Sequence, residues 1–67
     1  KDKNGTKIFE GDLIKSKYED VYQVYYEDNA LKIEDKWGNG LKPIQRAITH
    51  FECEIVGNIY DNPELLN

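Results

Sequence analysis

Val21-Tyr22-Gln23-Val24-Tyr25-Tyr26, then Glu27-Asp28-Asn29, then Ala30-Leu31-Lys32-Ile33-Glu34, is the stretch that decides the fold class. Five of its first six residues are aromatic or β-branched, side chains that suit a pleated surface and are restricted in a helix. Tyr22, Val24 and Tyr26 form the more apolar face of that strand, which turns Tyr25 outward. After the polar turn, Leu31 and Ile33 alternate inward against Lys32 and Glu34. Upstream, Leu13-Ile14-Lys15-Ser16-Lys17-Tyr18 reads as another strand, ended by a turn at Glu19-Asp20. Its Ile14, Ser16 and Tyr18 share one face, and Leu13, Lys15 and Lys17 share the other, which is expected to meet water. These three strands make an antiparallel meander.

Further outward, Asn4-Gly5 suits a type I′ turn, in which both central residues take positive φ, and predicts an opening hairpin with Thr6–Phe9 as its return strand. Lys36-Trp37-Gly38-Asn39-Gly40 reads as a loop, and Pro43 excludes a central strand at that point. Ile44, Ala47, Ile48 and Phe51 then fit an i, i+3, i+4, i+7 pattern, which favours a short helix over 43–51 despite the β-branched Ile48-Thr49. Glu54–Tyr60 is the closing strand, and Gly57 in its apolar run marks a bulge or a close backbone approach. Asn62 as cap and Pro63 as first helical residue predict one terminal turn, with Leu65 and Leu66 docking back on the sheet. The expected fold is all-β: a small SH3-like barrel or a strongly bent antiparallel sheet of about five strands with one or two short helical turns.

A chain of 67 residues forms a single domain, 1–67, and leaves little material for an enclosed catalytic cavity, so a non-enzymatic role is expected. One cysteine, Cys53, makes no internal disulfide, and no Cys/His cluster predicts a metal or other cofactor. No run of about 18 apolar residues predicts a membrane span, and the first residues are not those of a signal peptide, so a cytoplasmic setting is expected. The sequence begins with Lys1 rather than Met, as a piece of a longer product would. Charge is uneven: the net value is −4, yet residues 1–17 carry five lysines against three acids.

Two stretches, Asp2-Lys3-Asn4-Gly5-Thr6-Lys7-Ile8-Phe9-Glu10-Gly11-Asp12-Leu13-Ile14 and Glu54-Ile55-Val56-Gly57-Asn58-Ile59-Tyr60-Asp61-Asn62-Pro63-Glu64-Leu65-Leu66, resemble the YopX family of phage and prophage proteins. The second is the more specific, combining Gly-Asn-Ile-Tyr with Asn-Pro-Glu-Leu. Lys15–Cys53 carries little family signature. The resemblance implies a small β-rich unit from the C-terminal part of a longer phage-type protein in a bacterial host cell, and transfers no catalytic residue.

Among candidate chemistries, His50 and Cys53 have the spacing of a thiol–imidazole pair on a helix, with Glu52 or Glu54 to orient the ring. No oxyanion-hole pattern accompanies them, and a lone buried cysteine is the plainer reading. The pairs Glu19-Asp20, Glu27-Asp28 and Glu34-Asp35 read as solvated turn ends, because adjacent carboxylates on a strand point to opposite faces. Tyr18, Tyr22, Tyr25, Tyr26, Tyr60 and Trp37 are many aromatics for this length. Stacking of single-stranded nucleic acid on them is the alternative function, opposed by the negative charge and offered only a modest patch of Lys7, Lys15 and Lys17. The favoured function is an interaction module in which Tyr25 or Trp37 anchors a protein partner or a second copy.

Overall fold

The computed structural model describes residues 1–34 and 40–66. Among these residues, five strands form one antiparallel sheet: β1 (Asp12–Lys15), β2 (Val21–Glu27), β3 (Ala30–Glu34), β4 (Leu41–Pro43) and β5 (Glu54–Asn58). Their order is β4-β3-β2-β1-β5, with the helix α1 (Ile44–His50) between β4 and β5 and a 3-10 helix at Pro63–Leu66. The sheet is open, with β4 and β5 at its edges, so of the two expected forms it is the sheet and not the closed barrel.

The meander β1-β2-β3 forms in the order read, but β1 ends at Lys15, and Lys17 and Tyr18, expected in the strand, lie in the turn that the Glu19 N–H closes on the Ser16 carbonyl. Asp28 and Asn29 carry the meander's second turn, both at positive φ (54° and 64°), between the paired residues Glu27 and Ala30. This is the two-residue geometry whose twist matches the flanking strands. The expected hairpin at Asn4-Gly5 is corrected. Only Gly5 takes a positive φ (81°), Gly5 N–H bonds to the Asp2 carbonyl, and Thr6–Phe9 is not a strand. The Asp2 carboxylate takes the N–H groups of Asn4 and Thr6, which organises a capped turn instead of a ladder. The fifth strand is β4, where Pro43 is tolerated because it ends an edge strand and leads directly into the helix.

In α1, Ile44 and Ala47 are buried and Ile48 and Phe51 pack partly against the core, as the periodicity predicts. The Thr49 hydroxyl bonds back to the Gln45 carbonyl, a local contact that accommodates a β-branched residue in the helix. The chain leaves α1 through Glu52 at positive φ (50°), and the N–H groups of Phe51 and Cys53 both return to the Ala47 carbonyl.

One face of the sheet holds Ile14, Val24 and Ile33, packed with Ile8, Ile44, Ala47 and Cys53. The other face is not simply wet. Leu13, expected among exposed lysines, is completely buried. Its register partner is Gly57 on β5, opposite a bulge that falls between Leu13 and Ile14. A Cβ on Gly57 would collide with the Asn62 side chain, standing 2.8 Å from Cγ and 3.0 Å from Cβ. Register partners share a face, so the segment after β5 folds over the Leu13 side, and the 3-10 helix lies against β2. Leu65 and Leu66 remain 36% and 39% exposed there, so their docking is partial. Fully burying Leu13 on one side and Ile14 on the other contributes roughly 1.5–3 kcal/mol each.

Candidate interaction surface

Tyr25 lies on the Leu13 side of the sheet and is half-buried, paired across the strands with Lys32. Its hydroxyl donates to Glu34 Oε1 at 3.2 Å, and burial first, then Glu34, pushes the phenol pKa up. Tyr25 thus lies in the sheet surface with its hydroxyl tied to Glu34. Trp37 lies outside the described residues. The aromatic groups that do project are Phe9, Tyr18, Tyr26 and Tyr60, at 57%, 64%, 55% and 82% exposed. Tyr26 keeps the expected face but sits near the strand end, where little covers it. Tyr60 reaches toward Gly11, and the Ile59 N–H bonds to the Gly11 carbonyl, which holds the turn after Phe9 beside the end of β5.

His50 and Cys53 are not brought onto one helical face. α1 ends at His50, which is exposed, whereas Cys53 is completely buried beyond the helix. Burial pushes the Cys53 thiol up to about 11, so almost none of it is thiolate at neutral pH. Among the described residues no group of three His, Cys, Asp or Glu is placed to hold a metal ion. The first two acidic pairs lie at turns: Glu19 meets Lys15 at 3.2 Å, and Glu27 and Asp28 share Lys32 at 3.6 Å each. Asp35 lies outside the described residues.

Two of the three lysines of the expected basic patch are ion-paired. Lys15 is paired with Glu19, Lys17 with Glu52 at 3.2 Å, and Lys7 rests 5.4 Å from the centre of the Phe9 ring. Contact with Glu52 also raises the Lys17 pKa. A second basic group, not evident from the apolar pattern of the sequence, lies on β4 and α1. Lys42, Arg46 and His50 lie four residues apart in turn and are all exposed. That spacing was the available signal.

The two family-like stretches acquire a structural meaning. Asp2 is 6% exposed, and its Oδ2 accepts the Ile55 N–H at 3.0 Å while Oδ1 accepts those of Thr6 and Asn4 at 2.8 and 2.9 Å. Burial alone raises this carboxyl's pKa, but the three donors outweigh it and hold the group below its usual value. Asn58 Oδ1 takes the N–H groups of Tyr60 and Asp61, and Asn62 Oδ1 takes that of Asn58 at 3.3 Å. Asn62 therefore turns its side chain back to β5 and offers the 3-10 helix only its carbonyl, to Leu65. Both stretches close the β5 edge of the sheet. The family model described as YopX protein matches residues 1–67, the whole chain. The chain belongs to the YopX family. No curated protein matches it. Asp2 and the Gly57/Asn62 pair, which fall within the two stretches that resemble the YopX family, hold those stretches to the sheet. No helix among the described residues is long and apolar enough to cross a membrane.

Proposed function

We propose that this YopX-family domain is a non-catalytic accessory unit of phage or prophage origin, acting in the bacterial cytoplasm by binding protein, either a partner or a second copy. The observation that carries this reading is a contrast on the surface. Lys15 and Lys17 are already paired with carboxylates, while Phe9, Tyr18, Tyr26 and Tyr60 each stay more than half exposed. Apolar protein contacts need uncovered aromatic area, and a net charge of −4 opposes a phosphate backbone. The phage setting is drawn from the family alone.

A salt-series titration with mixed single- and double-stranded oligonucleotides tests the reading, alongside sedimentation of the chain alone. No appreciable oligonucleotide binding is expected at about 150 mM salt, since counterion release weakens the few contacts available. Submicromolar oligonucleotide affinity that survives that salt and disappears in Tyr25→Ala would replace protein binding by base stacking on the sheet.

A further inference from the structure

Deepening the protein-binding reading and resting on it, we infer that α1 and the clefts beside it form a docking surface for an acidic polypeptide segment carrying apolar side chains. Three depressions lie around the helix. The first, about 310 Å³, is lined by Ile8, Leu31, Pro43, Ile44 and Ile48, together with Lys1. A second, about 380 Å³, shares Pro43 and Gln45 with it and adds Lys42 and Arg46. The third, about 250 Å³, shares Arg46 and adds His50 and Phe51. At 3.6 residues per turn Ile44 and Ile48 lie on one side of α1 and Arg46 and His50 on the other, so the depressions follow one another around the helix, with the Lys42/Arg46 depression adjoining the aliphatic one through Pro43 and Gln45.

Their charge is of one sign. Every charged residue lining the three depressions is cationic, and residues 40–51 contain no Asp or Glu, in a chain whose net charge is −4. Lys42, Arg46 and His50 make no ion pair among the described residues, unlike Lys15, Lys17 and Lys32. A ligand that seats Leu- or Ile-like side chains in the aliphatic cleft and sets carboxylates against Lys42 and Arg46 satisfies both halves of the surface. A basic or neutral segment leaves the cations unmatched. Nucleic acid matches the charge but not the lining, because bases stack on aromatic faces and Phe51 is the one aromatic wall here.

The test is affinity selection on the folded chain from two pools of twelve-residue peptides, one of randomised Asp/Glu with Leu/Ile/Phe and one with Lys/Arg in place of the acids. The acidic pool is expected to be enriched at least tenfold over the basic one. Enrichment should vanish in the exposed-site variant Lys42→Glu/Arg46→Glu, and amide shifts on adding a selected peptide should centre on Leu31, Ile44 and Ile48. Equal recovery of both pools, binding that survives the double variant, or shifts centred elsewhere would overturn the docking site. If instead the chain self-associates through the Phe9 and Tyr60 region, the site falls and protein binding stands. Oligonucleotide binding through Lys42 and Arg46 at about 150 mM salt would overturn both.

Discussion

Asp2→Ala removes a single acceptor that serves three backbone donors on two distant parts of the chain. The Ile55 N–H lies on a half-buried edge strand, and a charge-assisted hydrogen bond there contributes roughly 1.5–3 kcal/mol. Asn4 and Thr6 are exposed, so water replaces much of what they lose, and releasing the capped turn adds about 1 kcal/mol. The expected loss is therefore about 2–4 kcal/mol, a large share of the stability of a domain this small. At a urea dependence of about 1 kcal/mol per M, the midpoint at pH 7 falls by about 2 M or more. Acid supplies an independent check. The folded Asp2 carboxyl lies below its ordinary value of 3.8, so its contribution is complete above that value and is lost as pH falls through the folded pKa. The gap between wild type and Asp2→Ala should then be full at pH 7 and narrow in acid. Urea melts followed by circular dichroism at pH 7 and at about pH 3 measure both. An unchanged midpoint at pH 7, or a gap that widens in acid, would refute the edge-capping argument.

Gly57→Ala should cost roughly 1–3 kcal/mol by overpacking against Asn62, and Asn62→Gly in the same chain should recover part of it. Additive losses in thermal melts would mean that the two residues do not touch. Gly5→Ala should cost about 1–2 kcal/mol for conformation alone, since open space surrounds the position at its φ of 81°; an unchanged urea midpoint would remove the left-handed turn. Cys53 should label with a neutral-pH thiol reagent far more slowly than free cysteine, because it is buried and its thiol titrates at about 11. Rapid labelling of the folded chain would restore the thiol–imidazole reading of His50 and Cys53.

What the amino-acid order determined by itself is what depends on neighbours a few residues apart. Alternation set the β2 and β3 faces, and the polar Asp28-Asn29 pair set their turn. A helical period placed α1 even though Ile48 and Thr49 are β-branched, and a glycine in an apolar run marked the bulge opposite Leu13. Pro63 began the 3-10 helix for a local reason too, its restricted φ. Only the tertiary structure decided the rest. Asn4-Gly5 carries the stronger hairpin signal of the two turns, yet a carboxylate at Asp2 reaches Ile55, 53 residues away, and draws the opening segment into a cap on β5. Leu13 reads as a residue facing water beside two lysines until the segment after β5 crosses its face. β4 is three residues ending in proline, too short to stand without β3 beside it. The basic residues Lys42, Arg46 and His50 of β4 and α1 follow a visible spacing, but whether they border apolar clefts or meet acids depends on what packs beside the helix. Local pattern specifies which side chains share a face, and long-range hydrogen bonding and burial specify what each face meets.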